Sequence, residues 1–419
     1  MAEEKFRVYG YRWVVLIVFM LVNLAIQILW ITFGAITLPA TQYYGVSDLQ
    51  IGLLAMIFMI VFVPLSLPIA WIIDTFGFYK AVSLGAILMA VFGLLRGVLG
   101  NNFIAVLACT IGLGVAQPFF LNSWTRLAAR WFPIQERATA VGLATVANFI
   151  GIGIGLVVTP MLILSTSIQN ALLIYGAVAA AFSVLFILFA REAPPTPPCP
   201  PEMESRALML VGLRSMLRSV PFWILMWLFL VGNGIFNGLS TWIESIVRPR
   251  GFSPEQAGIL GGLLLLGGIV GGIALPALSD KLRRRVPFLY VGMIGSIPGL
   301  LGLTFARTYW ELMVSAFAYG FFMISLAAIG YQYAAELTYP APEGTSNAML
   351  TLAGQISVVF IFGMEALRNP DGSFTTSLLI LTGCVAVAAL LITRLPESTL
   401  VSNPSVSLKP AQPEEAKSV

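Results

Sequence analysis

The stretch 191–218, REAPPTPPCPPEMESRALMLVGLRSMLR, is the only long polar interruption in an otherwise almost continuously apolar chain. Its proline run cannot be helical, because proline removes a backbone donor and clashes with the preceding turn. We therefore predict an extended polar linker over its first part. The later part, 203–218, carries three arginines on an amphipathic pattern and is predicted to be a helix on a membrane surface. The linker divides the chain into two halves of similar length.

The composition excludes a water-soluble globule. Charged residues make up only 10% of the chain and its mean hydropathy is +0.91, whereas about 25% of residues in soluble proteins are charged. The chain is therefore predicted to be an integral membrane protein, with the lipid bilayer as its surroundings and no nucleic-acid partner. Its three cysteines lie in apolar stretches or in the linker and predict no disulfide framework.

Apolar runs long enough to cross a bilayer, about 20 residues each, occur on both sides of the linker. Six precede it, at 13–38, 49–73, 79–99, 103–128, 138–162 and 168–190. Six follow it, at 220–246, 254–278, 287–305, 311–335, 345–367 and 373–394. The predicted fold is an all-α membrane protein with twelve transmembrane helices in two pseudo-symmetric six-helix bundles. The predicted divisions are an N-terminal bundle at 1–190, a cytoplasmic linker at 191–218, a C-terminal bundle at 219–396 and a disordered cytoplasmic tail at 397–419.

The distribution of basic residues predicts the orientation, because lysine and arginine concentrate in cytoplasmic loops. If both termini and the linker are cytoplasmic, the opposite side receives few of the 23 lysines and arginines. Those few are Arg248, Arg250, Arg307 and Arg368, with Arg96 near that end of the third span. We expect a multi-pass protein of the cell membrane with both termini in the cytoplasm, and we expect a monomer.

The two halves resemble each other in sequence. The stretch 131–148, WFPIQERATAVGLATVAN, aligns with 338–355, TYPAPEGTSNAMLTLAGQ, and the alignment matches Pro133 with Pro340. Two related bundles that face one another place a binding site near the bilayer midplane at their interface. The sequence therefore predicts a central site built from equivalent positions of the two halves.

The loop after the second span reads AWIIDTFGFYK at 70–80 and has a degenerate copy, DKLRRR, at 280–285. An acid followed by a glycine and basic residues between spans two and three resembles the cytoplasmic signature of the major facilitator superfamily. The resemblance implies a twelve-helix transporter that works by alternating access.

These charged loops predict a latch on the cytoplasmic side. The acid can accept hydrogen bonds at a helix N-terminus or pair with a basic neighbour such as Arg130 or Arg137, and rocking of the bundles would break the contact. The alternative is that the charges only fix the topology. The candidate latch residues are Asp74, Gly77, Lys80, Arg130, Arg137, Asp280 and Arg284.

Several stretches are similar to the feline leukaemia virus subgroup C receptor family, whose members are associated with choline, ethanolamine, haem and, in one branch, pyridoxine. They are LWI at 29–31, the run 63–75, AQPF at 116–119 and EGTS at 343–346. By position, the resemblance implies that Trp30 and Gln355 line a central cavity. The chain departs from the family at Phe149, which replaces a second cavity glutamine, and at Asn237, which replaces an aromatic residue of choline-transporting members. One wall of an aromatic cage for a quaternary ammonium is thereby missing, although Trp30, Trp242 and Tyr331 remain available.

The polar residues of the spans support a central site without the family. A polar side chain within a membrane must find a partner and usually faces the bundle interior. Trp30 and Asn237 occupy equivalent positions of the repeat, as do Asn148 and Gln355. The alternative is that the amides only bridge neighbouring helices. The candidate substrate-binding residues are Gln27, Trp30, Gln117, Asn148, Asn237, Tyr331 and Gln355.

The spans contain no histidine and no carboxylate clearly at mid-depth, where a proton carrier is expected. This pattern favours uniport or, alternatively, coupling through an acid near the end of a span, for which Glu244 is the candidate. The other reading of Glu244 is that it only forms an interfacial ion pair with Arg248. No nucleophile, base or metal-ligand cluster has usable spacing, so we expect no enzyme, no metal and no cofactor. The leading prediction is a secondary transporter of a small organic solute such as a choline-like amine. The alternatives are proton-coupled transport of an organic anion such as a carboxylate, and a membrane receptor that transports nothing.

Overall fold

The structure, a computed structural model, describes residues 7–198, 216–338 and 343–397. Within these ranges all long elements are helices, and twelve segments are long and apolar enough to cross a membrane, which confirms the predicted fold. The helices are α1 Arg12–Ile31, α2 Thr37–Tyr44, α3 Asp48–Phe76, α4 Phe78–Val98, α5 Phe103–Leu121, α6 Trp124–Trp131, α7 Ile134–Ser165, α8 Ile168–Phe189, α9 Val220–Val247, α10 Pro254–Leu282, α11 Val286–Phe305, α12 Tyr309–Leu337, α13 Glu343–Ile356, α14 Val358–Ala366 and α15 Thr375–Ile392.

The first predicted span, 13–38, is wrong beyond Ile31, where α1 ends. The chain turns there, because the Thr32 hydroxyl donates to Ile28 O at 2.7 Å and Gly34 N donates to Ile31 O at 2.8 Å. Pro39 then lies in the first turn of α2, where its missing N–H has no helical partner to lose. The break leaves α2 as a separate short helix beside the end of α1.

Helices α1–α8 form the N-terminal bundle and α9–α15 the C-terminal bundle. Within the first, α1 packs on α7 and α4 on α8; within the second, α12 packs on both α10 and α11. Glycines allow the closest approaches: a Cβ built on Gly320 would lie 1.8 Å from the carbonyl oxygen of Leu264. The two bundles meet where α7 contacts α10 and where α3 contacts α13.

The two ends of the molecule are named here from the chain path. The terminus side is the end at which α1 begins and α15 ends, and the far side is the opposite end. The predicted surface helix 203–218 lies outside the described residues except for 216–218, which are helical, and so does the tail from residue 398 onward.

Candidate functional site

Two of the predicted site amides are buried and unsatisfied. Asn148 on α7 is 7% exposed and Gln117 on α5 is 4% exposed. The carbonyl oxygens Asn148 Oδ1 and Gln117 Oε1 have no hydrogen-bond partner in the described structure. Leaving a buried acceptor unsatisfied costs about 1–3 kcal/mol. A ligand that donates a hydrogen bond would remove that cost.

The indole of Trp30 is fixed in place by its neighbouring helix. Its Nε1 donates to Ala55 O on α3 at 3.1 Å, and the side chain is buried. Because the N–H is already used, the remaining means of recognition is the aromatic face of the ring. Gln27, one turn earlier on α1, lies against α7, where a Cβ built on Gly151 would be 3.0 Å from Gln27 Cβ. Helix α1 therefore brings Gln27 next to the helix that carries Asn148.

The C-terminal part of the site gathers around α13. Asn237 Nδ2 on α9 donates to Ser357 Oγ at 3.4 Å, at the break between α13 and α14. Tyr331 on α12 shares a hydrogen bond with Thr351 at 3.3 Å. Gln355, which is half-buried, lies between these two contacts on α13. Asn237 and Tyr331 thus each bond to a residue at or near the end of the helix that carries Gln355, whereas none of the described contacts joins these residues to Trp30 or Gln117.

An aromatic contact joins the two bundles beside the amides. The rings of Phe149 on α7 and Phe236 on α9 meet edge to face, with centroids 6.3 Å apart. Each ring is the sequence neighbour of a candidate amide, Asn148 or Asn237. Sequence reasoning noted Phe149 only as a departure from a related family, and nothing local in the sequence indicated its partner.

On the far side, Asp48 joins the bundles. This first residue of α3 is hydrogen-bonded to Arg248, at the end of α9, and to Arg368 Nη1 at 2.8 Å, just after α14. The side chains of Arg248 and Arg368, which contact Asp48, are only partly exposed. Burial alone would lower the pKa of Arg368, but its hydrogen bond to Asp48 and the nearby charge of Glu365 raise it. The arginine therefore stays charged.

Glu244 belongs to the same far-side network. Its Oε2 lies 3.6 Å from Arg248 Nη1 and accepts a hydrogen bond from Leu38 N of α2 at 3.1 Å. The interfacial ion pair considered from the sequence is therefore present, together with a contact from the C-terminal bundle to the first turn of α2. Sequence reasoning missed Asp48, although the capping box that Ser47 forms with Gln50 marks the helix start where it lies.

On the terminus side, Asp74 was expected to accept hydrogen bonds at a helix N-terminus, but another carboxylate does so. Asp74 lies near the C-terminal end of α3 and pairs with Arg126 at 3.5 Å, rather than with the predicted Arg130 or Arg137. The acceptor at the N-terminus of α4 is Glu192, whose two carboxylate oxygens accept from Phe78 N at 3.1 Å and Tyr79 N at 2.7 Å.

Gly77 is required at this junction for two reasons. Its φ is +89°, in the region that favours glycine. A Cβ at this position would also lie 2.7 Å from both carboxylate oxygens of Glu192. A glycine is therefore needed at position 77 because the carboxylate of Glu192, at the start of the linker, caps α4 there.

The second copy of the loop is also rearranged. Asp280 pairs with Arg285, which was not among the candidate latch residues, and Arg285 Nη2 also contacts Glu336 Oε1 at 3.0 Å. Burial alone would lower the pKa of Arg285, but its hydrogen bonds to Glu336 and Asp280 raise it. Glu397 Oε1 accepts from Arg285 N at 2.7 Å at the start of α11.

The other predicted latch residues lie at the surface or at a helix junction. Lys80 and Arg130 are exposed. Arg137 Nη2 donates to Ala129 O at 3.4 Å across the turn between α6 and α7. Within the described ranges, no group of three or more histidine, cysteine, aspartate or glutamate side chains is arranged to hold a metal ion.

Comparison with known proteins agrees with this architecture. The chain belongs to the Major Facilitator Superfamily, whose family model matches residues 15–362 and 246–413. Among solved structures it is similar to a bacterial homologue of the human lysosomal transporter Spinster in an inward-facing, unoccupied conformation, with a TM-score of 0.71, 17% identity and coverage of 97% of this chain and 100% of that one. That likeness shows the fold.

Relatives in sequence are membrane transporters and solute carriers. The chain is 30% identical to solute carrier family 49 member A3 of Danio rerio over 90% of this chain and 82% of that protein. It is 28% identical to the choline/ethanolamine transporter FLVCR2 of Rattus norvegicus over 90% of this chain and 72% of that protein. It is 30% identical to the choline/ethanolamine transporter FLVCR1 of Felis catus over 82% and 65%. The resemblance read from the sequence is confirmed, and the chain is a multi-pass membrane protein of a secondary transporter family.

Proposed function

We propose that the protein carries a small organic amine across the membrane by alternating access, as a facilitative uniporter. The observation that carries the proposal is the pair of buried carbonyl oxygens on Asn148 and Gln117 that lack a hydrogen-bond partner. An acceptor is satisfied by a solute that donates, and ammonium and hydroxyl groups donate whereas a carboxylate only accepts. The face of Trp30 offers a cation–π contact to the same ammonium group. Choline and ethanolamine are the substrates named for two of the relatives.

The expected transport cycle uses the contacts between the bundles. We take the terminus side as cytoplasmic, because basic residues concentrate there. The far-side bonds of Asp48 and Glu244 join the two bundles, whereas the terminus-side pairs of Asp74 and Asp280 each lie within one bundle. This arrangement supports a state closed toward the outside. Rocking the bundles would break the far-side contacts and expose the site to that side.

One observation favours the anion alternative. Arg96 on α4 is fully buried, and its Nε and Nη2 atoms have no hydrogen-bond partner in the described structure. A buried guanidinium with free donors suits a carboxylate. Its Nη1, however, donates to Leu29 O in the last turn of α1 at 2.7 Å, where a positive charge is stabilised by the helix dipole. This structural role accounts for the charge, so the amine remains the leading substrate class.

The test begins with ligand binding by the purified full chain. Choline and ethanolamine should raise the apparent melting temperature, because a ligand of the folded state stabilises it. Trp30→Ala and Gln355→Ala should abolish that shift without lowering expression. Trp223→Ala is the matched control, since this tryptophan is 53% exposed. Unchanged binding in both site variants would show that the site assignment is wrong.

Flux into proteoliposomes then separates the three functions. Uptake of the amine without an ion gradient supports uniport. Accumulation of a carboxylate driven by a pH gradient, and lost in Glu244→Gln, would support proton-coupled anion transport instead. Binding without flux would support a receptor.

A further inference from the structure

A cavity lies in the C-terminal bundle between α9, α11 and α12, with a volume of about 90 Å³. Twelve of its thirteen lining residues are apolar or glycine, and the single polar one is Asn233. It has room for a small apolar group of a ligand, since about 10–15 Å³ of such space already holds a water molecule. None of the predicted substrate-binding residues lines it.

Several residues that line this cavity neighbour candidate residues in the chain or in space. Phe149 and Phe236, the sequence neighbours of Asn148 and Asn237, both line the cavity. The carboxamide of Asn233 faces α13 at the residue before Gln355, because a Cβ built on Gly354 would lie 3.2 Å from Asn233 Cγ. The cavity therefore borders the contact between Phe149 and Phe236 and, through Asn233, the helix that carries Gln355.

A residue that lines the cavity also packs against a candidate residue on α12. Phe229, another lining residue, packs edge to face on the ring of Tyr331 with centroids 4.8 Å apart. Asn233 Nδ2 donates to Phe229 O at 2.9 Å, so its Oδ1 is left as an acceptor for a ligand. Asn233 Oδ1 is thus a polar acceptor at the edge of an otherwise apolar cavity.

The lining defines what the cavity can hold. No charged side chain is among its lining residues, and a charge placed there would lose its hydration without gaining a partner. Met293 and Met323 supply flexible, polarisable walls that adapt to different apolar shapes. The fitting occupant is an uncharged alkyl or aryl group.

We propose that this cavity is the second half of the transport site and holds an alkyl or aryl group attached to the transported amine. The proposal rests on the proposed function, and it changes the substrate class from a bare small amine to an amphiphilic one. The ammonium would lie against Trp30 and the amides, and the apolar group would extend between α9, α11 and α12. Neither end alone would use all the contacts.

The test is a ligand series measured by titration calorimetry on the full chain. Choline, whose hydroxyl can donate to the amides, is compared with analogues in which a butyl, hexyl or octyl chain replaces one of its N-methyl groups. Affinity should rise about fourfold for each added methylene until the cavity is filled. Gly232→Leu should flatten this rise, because a Cβ there already meets Met323 Sδ at 3.4 Å and a larger side chain enters the cavity. Choline should bind the variant within about twofold of its original affinity.

Two controls accompany the series. Gly383→Leu introduces the same side chain at an exposed glycine where a Cβ would meet nothing within 4 Å, and it should leave the series unchanged. Ala327→Leu fills the cavity from α12 and should reproduce the flattening if Gly232→Leu fails to fold. Partition into detergent affects all proteins alike, so differences between variants report the cavity.

The outcomes separate this proposal from the proposed function. If choline binds through Trp30 but chain length has the same effect in both cavity variants as in the original protein, the cavity proposal is overturned and the amine site stands. If only the long chains bind, independently of Trp30 but lost in Gly232→Leu, the cavity binds alkyl chains by itself, and both the amine site and the proposal that the cavity completes it are overturned. If no member binds, both are overturned.

Discussion

Glu192 and Glu397 perform the same task in the two bundles. Each follows the last helix of its bundle, and each carboxylate accepts backbone N–H bonds at the start of the third membrane span: Phe78 N and Tyr79 N for Glu192, Arg285 N and Val286 N for Glu397. A carboxylate at this position satisfies orphan donors and complements the positive end of the helix dipole. The chain segments after each bundle are thus tied to the terminus side.

Removing either carboxylate should destabilise its own bundle to a similar extent. Glu192→Ala and Glu397→Ala each remove a cap, which contributes about 1–2 kcal/mol. We expect each variant to lower the apparent melting temperature by roughly 2–6 °C, on the scale of a domain of this size. Differential scanning fluorimetry in detergent measures the shift.

The control is Glu255→Ala, since Glu255 also lies in the first turn of a helix but makes no side-chain hydrogen bond in the described structure. It should lower the melting temperature by less than either cap variant. A shift for Glu192→Ala with none for Glu397→Ala would contradict the equivalence. Gly77→Ala should be less damaging in the Glu192→Ala background, where the carboxylate no longer lies against the added Cβ.

Neutralising Asp48 should open the far side. Hydrogen bonds to charged groups contribute about 1.5–3 kcal/mol each, and Asp48 joins both Arg248 and Arg368. Asp48→Asn should therefore shift the population toward the far-side-open state by about tenfold or more. Electron-electron distances between spin labels at Asn101 and Arg307, exposed far-side loop positions in different bundles, should gain a longer component.

This measurement needs a background in which Cys109, Cys199 and Cys384 are replaced by serine. Asp371→Asn is the matched control, because this far-side aspartate bonds only within its own loop, to Ser373 N at 2.8 Å. Its distance distribution should equal that of the unaltered protein. An unchanged distribution in Asp48→Asn would mean that packing alone keeps the far side closed.

A steric change at Gly52 should open the same seam without altering charge. A Cβ on Gly52 would lie 2.2 Å from the ring of Trp242, which is fully buried and held by a 3.1 Å hydrogen bond to Ile361 O. Because the ring cannot swing away freely, Gly52→Ala should separate α3 from α9 at a cost of about 1–3 kcal/mol. The same spin-label pair should report the longer distance.

Gly142→Ala is the control, since a Cβ there meets nothing within 4 Å. The two opening variants should differ in salt dependence, because screening weakens the Asp48 pairs and leaves the Gly52 contact unaffected. A shift for Gly52→Ala that disappears at high salt would argue against a steric cause.

The number of spans and their division into two halves could be predicted, because apolar runs of membrane length can be counted along the sequence and the two halves align with each other. The break after Ile31 could not, since it lies within an apolar run and depends on hydrogen bonds of Thr32 and Gly34. The Asp48 network was also hidden, because its partners are 200 and 320 residues away in sequence. Local sequence patterns do not reveal which residues so far apart in the chain will contact each other.

The sequence also could not rank the amides. Asn23 and Asn148 are both buried asparagines in membrane helices, yet only the structure shows their opposite states. Asn23 donates to Phe19 O at 2.8 Å and accepts from Trp124 Nε1 at 2.9 Å. Asn148 Oδ1 has no partner in the described structure. Hydropathy and spacing do not distinguish the two asparagines, because the hydrogen-bond partners of a buried amide come partly from other helices.

This difference gives the sharpest test of the site. Asn148→Leu should leave the ligand-free protein as stable as before or more stable, because it removes an unsatisfied acceptor that costs about 1–3 kcal/mol. Asn23→Leu should lower the stability by a similar amount, since it leaves the indole N–H of the partly buried Trp124 without its acceptor. Choline should then stabilise the Asn23→Leu protein but not the Asn148→Leu protein. Melting temperatures with and without choline measure both effects, and a ligand-free Asn148→Leu protein as destabilised as Asn23→Leu would show that Asn148 serves structure rather than substrate.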